Sequence, residues 1–256
     1  MMKKTPRKRA AHGRKVGFIG CPPAEVMAQF YDDELIDLDN QILEAVTPDA
    51  SEKLLPANTC RIIKRILDNA LALKLDLIVF DDGYSKCDNA RFLGQILEKL
   101  LKDVPLIRTQ NDSTEPRGTP ISDSFLPLSE KVSLILEGLT GTEKKYDLPP
   151  CPGPPAGFWG VPCADTSIYD LFPPGTQVLG WLRCCENRTP ADLELECWVN
   201  PDVPTVFFAQ TFCSKNILAK HLAAEYNGLY VDVDGPLSRS ERAKIEAFLH
   251  FRQAGY

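Results

Sequence analysis

Four times in this chain a hydrophobic run delivers a cysteine to the start of a predicted helix. The four stretches are VGFIGCPP (16–23), DLIVFDDGYSKCDN (76–89), GFWGVPCAD (157–165) and TVFFAQTFCSKN (205–216). A short continuous apolar run, with no alternation, is the pattern of a strand covered on both faces in a parallel sheet. A residue just past such a strand stands at the carboxyl edge of the sheet, where open α/β sheets build their sites. The recurrence therefore constrains the fold and the location of any chemistry together.

The rest of the chain fits this frame. In the first part, strands are predicted over 15–20, 34–38, 76–80 and 104–108. Helical spacing falls over 24–32, 60–75, 88–101 and 128–139. In 60–75 the residues Ile62, Ile63, Ile66, Leu67, Ala70 and Leu71 gather on one side. The intervening 43–56 reads as polar connection. The stretch DLPPCPGPPAG (147–157) is dense in proline and glycine and places a stiff linker over 146–156. After it the pattern restarts, with strands predicted over 158–161, 177–182, 205–209 and 229–233 and helices over 164–172, 215–226 and 238–252. Ser238, with Glu241 three residues on, has the spacing of a capping box. The expected fold class is α/β: two Rossmann-like parallel-sheet halves, over 15–145 and 157–256, with a site in the cleft between them.

Composition narrows the function. A net charge of −6 argues against nucleic acid as a partner. No apolar run approaches the ~20 residues that span a bilayer. The opening MMKKTPRKRAAHGRK is basic with no apolar segment behind it, so 1–14 reads as a solvated tail and not a secretory signal. A cytoplasmic protein is expected. Its nine cysteines are an odd number, and in a reducing compartment they are metal ligands or buried small hydrophobes rather than disulfides.

Cys21, Cys87, Cys163 and Cys213 all follow apolar strands and precede helices, Cys60 opens a helix, and Cys184 and Cys185 follow the run VLGWL. A helix start favours a thiolate through its free N–H groups and its dipole. The paired C-x-x-C spacing of a zinc site is absent, and only His12, His221 and His250 could add imidazole. Two readings stay open from the residues alone: soft thiolate chemistry with iron–sulfur or Cu(I), and cysteines that merely fill a core. Cys151 in the linker and Cys197 lie away from strand-to-helix junctions and read as non-ligands. Glu25 reads as a first-turn carboxylate or as a site group. Arg183 and Arg188 read as solvated surface residues, or as residues that place an anion or pair with acids, and Asp81 and Asp82 as turn formers or cleft residues.

At these landmarks the sequence resembles the 2-hydroxyacyl-CoA dehydratase and benzoyl-CoA reductase iron–sulfur subunits, a family that includes the double-cubane cluster proteins. VGFIGCPPAEVMAQF is similar to the family's opening strand, cysteine and helix, with Glu25 at the first acid of its "PEE". The stretch 54–98 resembles its second and third cysteine stations. GFWGVPCADTSIYDLFPPGTQVLGWLRCCENRT resembles the start of its second domain. VFFAQTFCSKN and GLYVDVDGPLSRSERAKIEAFL resemble its C-terminal part. The resemblance implies that Cys21, Cys60 and Cys87 hold a 4Fe–4S cluster with one iron open. It also implies that Cys163, Cys184 (or Cys185) and Cys213 are cofactor-binding residues of a second trio, as in a double-cubane 8Fe–9S cluster. The implied activity is low-potential reductive chemistry on a small-molecule substrate, with electrons from an ATP-dependent iron–sulfur activator protein and a homodimeric or heterodimeric assembly. A 2-hydroxyacyl-CoA dehydratase (a lyase) and an iron–sulfur carrier without turnover are the alternatives. The chain is shorter than the family's members, which draws the expectation away from acyl-CoA dehydration.

Overall fold

The computed structural model describes residues 13–39, 50–140 and 146–253. Most of the basic tail expected over 1–14 lies outside these residues. Arg14 is described, and it forms an ion pair with Asp33 at 2.6 Å.

The first half runs β1 (Lys15–Ile19), α1 (Ala24–Met27), β2 (Glu34–Asp37), α2 (Ala50–Leu54), α3 (Arg61–Ala72), β3 (Leu77–Asp81), α4 (Asp88–Leu100) and β4 (Leu106–Thr109), followed by α5 (Leu128–Leu139). The second runs β5 (Gly157–Gly160), β6 (Gln177–Leu179), α6 (Trp181–Asn187), α7 (Leu193–Cys197), β7 (Thr205–Ala209), α8 (Asn216–Glu225), β8 (Leu229–Asp232) and α9 (Arg239–Gln253). The strand orders are β2-β1-β3-β4 and β6-β5-β7-β8, and every pairing is parallel. The two sheets thus have the same topology, and the molecule is an α/β protein of two Rossmann-like halves.

Three expectations are corrected. Within the expected loop 43–56, Ala50–Leu54 is helical, anchored where the Ser51 hydroxyl donates to buried Asp68 at 2.6 Å; residues 43–49 lie outside the described residues. The strand expected over 177–182 ends at Leu179. Gly180, with φ of +69°, turns the chain directly into α6, so Cys184 and Cys185 sit inside a helix. A side chain at Gly180 would meet the Trp159 indole at 2.8 Å, so only glycine suits this turn. Finally, 164–172 forms a 3-10 segment, Thr166–Leu171, capped by Asp165 accepting from the Ser167 N–H at 3.0 Å.

Side-chain alternation along the strands creates three packed layers. Val16, Phe18, Leu77 and Val79 point inward from the first sheet, and Phe158, Val178, Val206 and Phe208 from the second. With Leu128, Val132, Ile135 and Leu139 of α5 and Ile245 and Leu249 of α9 they form one shared core. Phe158 is central to it, edge-on to Tyr169 and Phe172 with centroids 5.7 and 5.5 Å away. The outer face of the first sheet packs Ile19, Ile78 and Phe80 on the apolar stripe of α3, including Ile63, Ile66 and Leu67, and on Leu93 and Leu97 of α4. Each such aliphatic side chain contributes about 2 kcal/mol. The outer face of the second sheet packs Trp159 and Phe207 on α8. Helix α5 precedes the proline-rich stretch, yet it packs on α6, β6 and the 3-10 segment of the second half. The halves are therefore joined through a common core and not only through a linker.

Candidate functional site

A cavity of about 730 Å³ opens at the carboxyl ends of the strands of both sheets. Its walls come from the ends of β1 and β8, from the turns after β3, β5 and β7, and from the first turns of α3, α4 and α8. This is the location expected for a ligand in a parallel sheet, here built twice over. Three cysteines line it: Cys60 and Cys87, which stand at the N-caps of α3 and α4, and Cys213, just before α8. No histidine does.

Cys60 of the first half and Cys213 of the second both reach this cavity, and Cys213 packs against the cluster that contains Cys60. Hydrogen bonding with Cys213 lowers the Cys60 thiol to about 7. Burial opposes the shift, and the backbone N–H groups of Ile62 and Ile63 in the first turn of α3 assist it. The same interaction, reinforced by burial, pushes Cys213 up.

The other expected ligands do not line the cavity. Cys21 is fully buried behind it. Its N–H donates to Asp81 at 3.3 Å, and Asn111 Nδ2 donates to its carbonyl at 2.9 Å and lies 3.7 Å from its sulfur. Burial raises its thiol, while Arg188 and Lys86 work the other way. Cys163 is buried and its N–H donates to the Tyr169 hydroxyl at 2.8 Å; burial raises this thiol well above its ordinary value. Cys184 donates to the Asp192 carbonyl at 3.7 Å, Cys185 is sealed in the shared core, and burial raises both. Cys151 and Cys197, which read as non-ligands, are half-buried and do not line the cavity. Among the described residues, no three His, Cys, Asp or Glu side chains are gathered to hold a metal ion.

Two lysines complete the cavity, and the sequence reading missed them. Lys86 and Lys215 lie over the Trp181 ring with Nζ 4.7 and 4.8 Å from its centroid. Lys86 is held by Asp81 at 3.2 Å, and Lys215 by buried Glu196. Burial works to lower Lys86, but Asp81, Asp39, Cys21 and Cys185 outweigh it and its pKa is raised, so the ammonium form persists. A signal was present in the sequence: SKC at 85–87 and CSK at 213–215 place a lysine within two residues of the cysteine after the third strand of each half. The single tryptophan against which both lysines settle comes from α6, and no spacing rule links it to them.

The solvated surface role expected first for Arg183 and Arg188 is corrected, and Arg183 takes the alternative of pairing with an acid. Arg188 is buried, with a left-handed backbone, and its guanidinium donates to the Gly138 and Leu139 carbonyls that end α5. Arg183 pairs with Asp123 at 2.8 Å and lies over Trp198. Asp81 caps the region beneath the cavity, accepting from Cys21, Gly83 and Asn111 N–H groups. Asp82 instead pairs with Arg108. Glu25 is an exposed first-turn residue of α1, as expected.

In comparison with known proteins, the chain matches no family model and no curated protein. No helix among the described residues is long and apolar enough to cross a membrane.

Proposed function

We propose that the chain is an iron–sulfur protein that performs low-potential reductive chemistry on a small molecule in this cavity, with electrons from an ATP-dependent activator protein. The observation that carries the reading is the convergence of Cys60, Cys87 and Cys213, from three helix starts in two halves, on one recess without histidine. An all-thiolate donor set fits iron–sulfur better than zinc or a hard cation. The thiolates of a cubane bind different irons, so they need not converge on one point as the ligands of a single ion do. Cys60 and Cys87 belong both to this set and to the trio of the family the sequence resembles. The third ligand is Cys213 on the cavity side or Cys21 behind it.

When bound, a cubane held by three thiolates supplies a low-potential electron at an iron left open to substrate. The chain's own groups supply the surroundings. The helix start of α3 presents the Ile62 and Ile63 N–H groups towards Cys60 and favours its thiolate form, and Cys87 stands at the N-cap of α4. Ile19, Ile63, Ile66 and Val161 give the recess apolar walls that limit water. Lys86 and Lys215, fixed against Trp181, place two cations where a substrate gains negative charge. The recessed position of Cys60 favours turnover over an exposed, transferable cluster.

The test is iron and acid-labile sulfide on protein purified without oxygen, with electron paramagnetic resonance of the reduced form. About four irons per chain are expected, lost in Cys60→Ser and Cys87→Ser, and about eight would indicate the double cubane. Absence of iron after anaerobic reconstitution would overturn the proposal. Comparison of Cys21→Ser with Cys213→Ser identifies the third ligand.

A further inference from the structure

A second chemistry is available to the same recess when it holds no metal, and it does not rest on the iron reading. Cys60 stands at the N-cap of a twelve-residue helix, and Cys213 follows β7 in the other half. Both line the cavity, and Cys213 packs against the cluster that contains Cys60. Four of the remaining thiols, those of Cys21, Cys163, Cys184 and Cys185, are buried in the protein interior. The cavity is large enough to admit a small disulfide beside the pair.

We propose that Cys60 and Cys213 form a dithiol–disulfide couple that exchanges with low-molecular-weight disulfides and, when oxidised, bonds the two halves together. The Cys60 sulfur attacks one sulfur of R–S–S–R, a Cys60–S–S–R bond forms, and RS⁻ leaves. Cys213 then attacks the Cys60 sulfur, the Cys60–Cys213 bond forms, and the second RS⁻ leaves. The two protons released by the protein thiols end on the two RSH products. Two protein thiols are oxidised and one small disulfide is reduced to two thiols. Cys60 is assigned the attack because it stands at the N-cap of α3, where free N–H groups of the first turn stabilise the developing sulfur charge. Cys213 resolves because it lines the same cavity and packs against the cluster that contains Cys60.

The test uses the full chain, stripped of metal by a chelator and checked for residual iron. It is treated anaerobically with glutathione disulfide and, separately, with uncharged hydroxyethyl disulfide. Intact mass and peptide mapping then locate every linkage. The expected result is the loss of two of the nine thiols, one Cys60–Cys213 linkage with either reagent, and full recovery with dithiothreitol. Cys213→Ser is expected to stop at a stable mixed disulfide on Cys60. The wild-type map needs no variant to fold. A linkage from Cys87 to either cysteine, a lasting mixed disulfide on wild-type protein, or unchanged thiols with both reagents would each overturn the proposal. Failure of the iron test leaves this outcome unaffected, since every readout is taken on metal-free protein.

Discussion

The two halves repeat one topology but treat their cysteines unequally. After the first strand of each sheet, Cys21 and Cys163 are both buried. After the third strand of each, Cys87 and Cys213 both line the cavity, each with a lysine within two residues in sequence. Strand position therefore decides exposure in the same way twice. The halves part between their second and third strands. Cys60 precedes the first turn of α3 and meets the cavity, whereas Cys184 and Cys185 lie within α6 and face the interior. A cysteine at a helix start looks along the axis into the cleft, and one a turn later is carried round into the packing. The second half presents Trp181 from that helix instead of a second thiol.

The largest test of the comparison concerns the shared core. Phe158→Ala removes the ring at its centre and is expected to cost about 3–5 kcal/mol. Because that core takes side chains from both sheets, both halves should unfold in one lowered transition. Calorimetry resolving two transitions, with only one shifted, would show that the halves are independent.

Thiol accessibility sharpens the strand-by-strand equivalence. On native, metal-free protein, alkylation followed by peptide mass spectrometry should modify Cys87 and Cys213 long before Cys21, Cys163, Cys184 and Cys185, which become reactive only on unfolding. Early modification of Cys21 but not Cys163 would break the equivalence.

A smaller effect distinguishes the seam between the halves. The buried Lys131 amine donates to the Ser122 and Thr176 carbonyls, and burial lowers its pKa from 10.5 to about 8. The unfolded chain then binds more protons than the folded one between about pH 8 and 10.5. This group's contribution makes stability rise with pH through that window. Denaturant melts should show this slope in the native chain, and Lys131→Met should remove it. An unchanged slope would mean that the amine is not desolvated at the seam.

The smallest effect belongs to a feature of the second half alone. The Ser238 N–H donates to the Glu241 carboxylate at 2.7 Å, and the Glu241 N–H donates to Ser238 Oγ at 3.2 Å, closing the capping box ahead of α9. Ser238→Ala should lower the melting free energy by about 1 kcal/mol. A neutral result would place α9's stability in its Ile245 and Leu249 contacts only.

The α/β class, the existence of all eight strands and the repeat of one element order were determined by the sequence itself. Continuous apolar runs such as LIVF and TVFFA, bounded by turn residues, leave a chain little choice but a covered parallel sheet. The capping box and the end points of α5 were equally local and equally legible. The tertiary structure alone decided which cysteines meet. Cys60 and Cys213 are far apart in sequence, and their approach depends on how α5 and the shared core seat one half against the other. It also decided the interior course of Cys184 and Cys185, because the positive φ of Gly180 ends β6 early and begins a helix where the apolar run VLGWL reads on as strand. Local pattern reports which face of an element is apolar. Which faces oppose one another is fixed only when the halves close, and burial over the whole interface outweighs the preference of any single segment.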